Sequence, residues 1–517
     1  MKMNLTTDPW IPVVWQNGQP GMVSLVEVFQ RGTNIQDLAV RPHERIALMR
    51  LLICVAQAAL DGPKDHQDWH TCRSRIAPDA ADYLKRWRDV FELFGDKQRF
   101  LQAQNLKPAG KADEDEDGGN SVSKLDLALA TGNNSTLFDN AGGSARDFTA
   151  AQLALMLLTF QCFSPCGRIG VAVWNGNPTT GNGSSAHAPC VSGNMLHSYL
   201  RHANLLDTIH SNLLDKQTVA LLVPKDGWGK PVWEQMPQSP VDESAICNAT
   251  ATYLGRFVPL TRAIRLSDDG KSMILANGLS FLEWREPSST IKVVKSSKGT
   301  PERKALSASL ERAPWRELHS LTVRHASNDP IGGPVALRNV TGEDGFDLWA
   351  GGLVAAGNGK LEDTVEAVFH VPIGMLTEPG QRIYEDGVKH AGDMEFRLRR
   401  AVSIYHKELG NNLDRPEMRE QRKRVQNKAT FQFWTDIERD VQRLLEVVAD
   451  SASLTGSNGW PQTVWGKSVW RAVLRAFDAA CPHATPRQMR AFALAGHALF
   501  RSTQPDISQD KPQESEA

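Results

Sequence analysis

The stretch Val365-Glu366-Ala367-Val368-Phe369-His370-Val371-Pro372-Ile373-Gly374-Met375-Leu376-Thr377-Glu378-Pro379-Gly380 is where the character of this chain changes. Val365 to Phe369 reads as a strand, because β-branched and aromatic side chains suit a pleated, half-buried surface. Pro379-Gly380 then punctuates the chain. Beyond it, helical patterns fall near Gln381–Leu409, Asn427–Ser453, Thr463–Cys481 and Pro486–Arg501. Thr485 as N-cap and Pro486 at the first helical position open the last of these. Amphipathic helices joined by such loops predict an antiparallel four-helix bundle over residues 379–502. The polar tail, 503–517, reads as disordered.

Upstream of the boundary the pattern is mixed. From about Thr218 to Pro372 it is strand-like with frequent turn residues, as in Val219–Val223 and Ile291–Val294. Ala350 to Leu361 reads as a hairpin with a tight tip. A short apolar helix from about Thr149 to Phe163 ends at Ser164-Pro165-Cys166-Gly167-Arg168-Ile169-Gly170. Gly/Asn-rich segments, Thr131–Gly143 and Asn175–Ser185, lie on either side of it, an arrangement suited to presenting backbone on a scaffold. Nearer the start, Arg41-Pro42-His43-Glu44 opens a strong helix through Leu60, and another helical stretch runs from about Pro78 to Leu93. Trp10–Val14 reads as a strand leading to a hairpin-type turn at Asn17-Gly18. The expected class is α+β: a large mixed α/β domain over 1–378, followed by the bundle.

Composition narrows the function. The 517 residues carry 58 Lys+Arg against 59 Asp+Glu, which argues against a protein that coats nucleic acid. With 41% hydrophobic residues the chain is of globular type. No apolar run is long enough to span a membrane, and Met1–Pro12 lacks the features of a signal peptide. The seven cysteines are scattered without a C-x-x-C pair, as expected for reduced core residues of a cytoplasmic protein. Fourteen Trp against five Tyr point to large buried anchors or stacking platforms.

Catalytic patterns are missing. There is no H-E-x-x-H, no G-x-S-x-G and no dinucleotide-binding glycine fingerprint. Gly352 to Lys360 fails as a phosphate loop, since Asn358 follows Gly357 where lysine is needed and no Ser/Thr follows Lys360. The acidic run Asp113–Asp117 reads as a solvated loop, without calcium-loop spacing. His43-Glu44 reads as an ordinary helix start. No metal or cofactor is expected. Nucleic-acid features are more suggestive. Glycine loops let backbone N–H groups approach phosphates or a groove floor, and Arg168 adds a cation to one of them. Basic residues cluster at Arg397, Arg399, Arg400, Arg415, Arg419, Arg422, Lys423, Arg424 and Lys428; a solvated helix face is favoured there over a phosphate-binding one. Phe431/Trp434 and Trp465/Trp470 read as bundle core.

These residues carry a resemblance. Leu5-Thr6-Thr7-Asp8-Pro9-Trp10-Ile11-Pro12-Val13, Ile53-Cys54-Val55-Ala56-Gln57, Phe100-Leu101-Gln102, Leu137-Phe138-Asp139-Asn140, Phe160-Gln161 leading to Gly167 and Gly170, and Trp284-Arg285-Glu286-Pro287 occur in order. Their order, their spacing and the closing helices resemble the CasA family, large subunits of the type I-E CRISPR surveillance complex called Cascade. The resemblance implies a non-catalytic subunit that recognises the protospacer-adjacent motif (PAM) in double-stranded target DNA. It also implies a part in opening the duplex for the guide RNA and in recruiting a helicase–nuclease. The partners so implied are the other Cascade subunits, CRISPR guide RNA, target DNA and that nuclease.

A motif read before unwinding must be read from a groove of an intact duplex. By resemblance, Gly167 and Gly170 are the glycine-loop positions, with Arg168 and Ile169 between them. The wedge that separates the strands falls at Gly357-Asn358-Gly359, with Lys360 beside it for a phosphate. Asn358 stands where the better-known pattern has glutamine. Leu137, Phe138, Asp139 and Asn140 belong to a loop that, in the family, docks on the guide's 5′ handle and a neighbouring subunit. Two other readings compete: a hydrolase with its site in the Gly/Asn-rich loops, and a free-standing DNA-binding protein. The first lacks a nucleophile–base pair, and the second lacks a helix-turn-helix pattern.

Overall fold

The computed structural model describes residues 2–109, 119–129, 146–165, 169–180, 188–191, 194–223, 227–281, 285–296, 298–324, 331–342, 344–355, 361–410, 415–450 and 459–500. Two compact units emerge, Met1–Leu376 and Thr377–Ala517.

In the first unit, helices and small antiparallel sheets share one core. Ile11–Trp15 pairs with Pro20–Val23 and with Ile35–Leu38, and the expected turn lies at Gly18, whose φ is +78°. The Pro42–Leu60 helix begins with Pro42 at its first turn, and Glu44 Oε2 accepts the Arg41 N–H at 2.9 Å. Every residue from His43 to Gln57 except the half-buried Arg45 is buried, so this is a central core helix rather than a one-sided amphipathic one. The Ala150–Phe163 helix starts with a reciprocal cap between Thr149 and Gln152 and is buried from Leu153 onward. Indole rings serve as anchors: Trp10, Trp174 and Trp349 are among the largest fully buried side chains.

The run Val219–Val223, expected as a strand, is instead in the Lys216–Leu222 helix. Asp215 caps it by accepting the Thr218 N–H at 2.8 Å. A short apolar run has no decisive period of its own, and here the cap decides. Ile291–Lys295 and Pro301–Ala305 do form a two-stranded ribbon. The stretch after Pro78 is a shorter helix, Ile76–Arg86, followed by one 3₁₀ turn.

His43 is a core residue. Its ring is 1% exposed, and neither nitrogen has a hydrogen-bond partner among the described residues. Burial, with Arg41 nearby, lowers its pKa to about 3. The unfolded chain would protonate this histidine below about pH 6.5 while the folded chain would not, so stability falls as pH drops through that window. The expected loss from this group is about 2 kcal/mol by pH 5. Urea unfolding of His43→Leu against the parent, between pH 7 and 5, should show a flatter acid limb.

The second unit is helical. Glu378–Glu408 packs on Pro416–Glu438, Val441–Ala449, Val464–Ala480 and Pro486–Phe500. The helix expected over Asn427–Ser453 is really two, broken at Arg439-Asp440, and the first starts earlier, with Pro416 in its first turn. The charged stretch 415–428 has little apolar period to announce a helix. Trp465 is fully buried, as expected, and its indole N–H donates to Gly387 O at 2.9 Å. Phe431 is not core: it is 74% exposed, and Phe433 fills the interior.

Candidate nucleic-acid interface

The glycine loop hangs from a polar bracket. Arg262, 1% exposed, donates from Nε to Ser164 Oγ at 2.7 Å and from its two Nη atoms to Asn277 Oδ1 at 2.9 Å and Pro165 O at 2.5 Å. Gln161, one helical turn earlier, binds the Arg262 backbone twice: its Nε2 donates to the carbonyl at 2.8 Å and its Oε1 accepts the N–H at 2.9 Å. Thr261 Oγ1 completes the lock by donating to Gln161 O at 2.7 Å. On the far side of the loop, Ala172 and Thr179 exchange hydrogen bonds at 3.0 and 2.8 Å.

Of the proposed loop residues, Ile169 is half-buried and Gly170 is exposed. Gly167 and Arg168 lie outside the described residues. A Cβ built on Gly170 meets nothing within 4 Å. Among the described residues, then, nothing around position 170 requires glycine.

The hairpin consists of Phe346–Ala355 and Leu361–Val371, antiparallel, with His197–Arg201 on the other edge of the first strand. Gly352 is needed where these strands meet, because a Cβ there would stand 2.8 Å from Met195 O and 2.9 Å from Ala308 Cβ. Gly357, Asn358, Gly359 and Lys360 lie outside the described residues, as do Leu137, Phe138, Asp139 and Asn140. The base of the tip is held by Asn194. Its Nδ2 donates to Ala355 O at 2.9 Å, and its Oδ1 accepts the Ala355 N–H at 3.2 Å. Asn194 itself sits at φ +56°, a left-handed conformation that asparagine tolerates better than most residues.

One segment joins the two features. Ala188 N–H donates to Ser164 O at 3.2 Å, and Cys190 N–H to Cys162 O at 3.4 Å, so this segment begins on the stem of the glycine loop. Six residues later it is Asn194, which clamps the hairpin. Six Cα steps span at most about 22 Å. Two loops separated by almost 200 positions in sequence thus share one short scaffold. Neither Asn194 nor Arg262 stands out in the sequence, because each acts only through partners far away along the chain.

Two more elements frame the region. The described chain resumes at Arg146, just before the Thr149 cap of the Ala150–Phe163 helix. Asp126 accepts from Arg41 Nη1 at 3.0 Å. Glu286, from the quoted Trp-Arg-Glu-Pro motif, is 1% exposed and accepts from Arg50 Nη1 at 2.6 Å, with Arg256 Nη2 at 3.5 Å. Next to it, Ser288 O accepts the Ser198 N–H at 2.8 Å, so the motif supports the edge strand of the hairpin sheet.

Among the described residues no group of three or more His, Cys, Asp or Glu is placed to hold a metal ion. None of the described helices is long and apolar enough to cross a membrane.

The chain is 27% identical, over 514 residues, to the CRISPR-associated protein CasA/Cse1 of Thermus thermophilus, covering 93% of this chain and 94% of that one. Its fold is similar to that of Cse1 from Acidimicrobium ferrooxidans, with a TM-score of 0.71 at 18% identity, covering 96% and 97% of the two chains. It is similar also to a chain of a CRISPR RNA-guided surveillance complex, with a TM-score of 0.67 at 18% identity, covering 97% and 100%. Residues 4–476 match the family described as CRISPR-associated protein Cse1, and the chain belongs to that family.

Proposed function

We propose that this chain is the non-catalytic large subunit of a type I-E CRISPR RNA-guided surveillance complex in the cytoplasm. In this reading it recognises the PAM in duplex DNA, promotes strand opening and R-loop formation, and recruits a helicase–nuclease. The observation that carries the reading is the shared scaffold from Ala188 to Asn194, which ties the glycine-loop stem to the hairpin base. A reader of a short motif and a wedge that opens the next base pair must be held at a fixed spacing. That requirement accounts for two mounts built from polar contacts, the buried Arg262 bracket and the part-buried Asn194 clamp. Gly167, Arg168, Ile169 and Gly170 then approach the minor groove, and Arg168 suits its negative potential. Asn358, between Gly357 and Gly359, is the short polar wedge, and Lys360 holds a phosphate. Leu137, Phe138, Asp139 and Asn140 dock on the guide's 5′ handle and the neighbouring subunit. Residues 379–502 serve as the family's C-terminal four-helix bundle, and sequence specificity beyond the PAM comes from base pairing.

Gly170→Trp tests the reading. The space around Gly170 leaves the fold free to accept the side chain, whereas a groove floor would not. In an electrophoretic shift with reconstituted complex, the variant should bind PAM-bearing duplex about 100-fold more weakly, with its melting temperature unchanged. If the variant prefers PAM-bearing over PAM-less duplex as the parent does, the loop assignment is wrong. If the parent complex itself shows no such preference, the function is wrong.

A further inference from the structure

The first two long helices of the second unit, Glu378–Glu408 and Pro416–Glu438, share an unusual outer face. Three hydrogen bonds set their register: Arg422 Nη1 to Ser403 Oγ at 3.3 Å, Gln426 Nε2 to Arg399 O at 2.9 Å, and Thr430 Oγ1 to Glu395 Oε1 at 2.8 Å. Positions rise on one helix as they fall on the other, so the two run antiparallel. Each residue turns a right-handed helix by about 100°. One step C-terminal from the seam therefore swings side chains of both antiparallel helices to the same side. That side receives Phe396, Arg400 and the half-buried Ile404 from one helix, and Lys423, Asn427 and Phe431 from the other. One step in the opposite sense reaches Met394, Leu398, Val402 and Ala429, all buried, with Val425 half-buried and Gln421 exposed. The first side is therefore the outer one.

Phe396 is 66% exposed and Phe431 74%. By the register they lie within about one helical turn of the same level. Arg400 and Lys423 follow within about two turns, in the same direction from the pair. Arg424 and Lys428 flank them; the nearby acids are Glu420, 3.7 Å from Arg424 in an exposed pair, and Glu395 at the seam, 3.8 Å from Arg399. Two large exposed apolar rings beside a track of cations suit a partner that offers flat apolar faces and regularly spaced negative charge.

We infer that this face binds single-stranded nucleic acid, with bases stacking on Phe396 and Phe431 and phosphates meeting Arg400, Lys423 and Lys428. Aromatic platforms joined to a positive track are how sequence-tolerant single-strand binding is built. A duplex keeps its bases stacked inside and would meet only the cations. The inference goes beyond the glycine-loop reading and stands independently of it.

The test uses the full-length chain and fluorescence anisotropy with a labelled oligothymidylate of about 20 nucleotides, beside a blunt duplex of the same length. F396A/F431A should weaken oligothymidylate binding about tenfold or more and leave duplex binding as it was. R400E/K423E should weaken it too and flatten its salt dependence. Both rings are exposed, so the phenylalanine variant should melt with the parent. Unchanged oligothymidylate binding by F396A/F431A overturns the inference. So does a variant that keeps that binding but fails to assemble with partner subunits, which would make the face a protein interface. Gly170→Trp should leave oligothymidylate binding intact, so failure there is distinguishable from failure here.

Discussion

Glu286→Ala is expected to destabilise the first unit by about 3–5 kcal/mol, the cost of leaving a buried charge without its partner. The carboxylate is 1% exposed and lies between Arg50, 2% exposed, and Arg256, 3% exposed. Arg50 also donates to Phe257 O and Arg256 O, both at 2.7 Å, so its guanidinium is held in place and cannot swing out to water. Glu286→Gln keeps a hydrogen-bond acceptor but not the charge and should cost less. R50M/E286L should recover only part of the loss, because Arg256 would still lack its carboxylate. Urea unfolding of the three variants gives the comparison. A loss below about 1 kcal/mol for Glu286→Ala would mean that water reaches this cluster and that the pair is not a true interior one. Because Ser288 holds Ser198 on the edge strand, the same variant should also weaken the mount of the hairpin.

Arg262→Met is the second large effect. The methionine fills space but leaves Ser164 Oγ, Pro165 O and Asn277 Oδ1 without their donor. Hydrogen bonds from a charged group contribute about 1.5–3 kcal/mol each, and they are not additive, so a net loss of roughly 3 kcal/mol is expected. Arg262→Lys should not rescue it, because an ammonium cannot span three acceptors laid out for a planar fork. The reconstituted complex should lose discrimination between PAM-bearing and PAM-less duplex even at temperatures where the variant stays folded. A folded Arg262→Met complex with normal discrimination would show that the bracket stabilises the fold without positioning the loop.

The legible parts of the molecule were those written in local pattern. The strands on either side of the expected hairpin tip showed in the glycine-punctuated run from Ala350 to Leu361, and the Pro42–Leu60 helix in its proline, glutamate and apolar run. Phe160-Gln161 was visible as a motif, yet its work was not: Gln161 is a bracket for Arg262, a hundred positions away. Asn194 is equally silent, since its significance is one backbone torsion and two bonds to Ala355. Val219–Val223 misled because apolar residues without a clear period fit either element, and the Asp215 cap settled it. Phe431 misled because helical spacing says which residues share a face but not which face is inside.

The Asn194 clamp divides the hairpin into a fixed part and an exchangeable one. Below Ala355, Gly352 permits no side chain and the first strand is paired along both of its edges. Above it, five residues separate Ala355 from Leu361. Evolution, or an engineer, is thus offered a cassette: tips of equal length from other family members should be exchangeable without retuning the frame. Whatever preference the tip confers would travel with the graft.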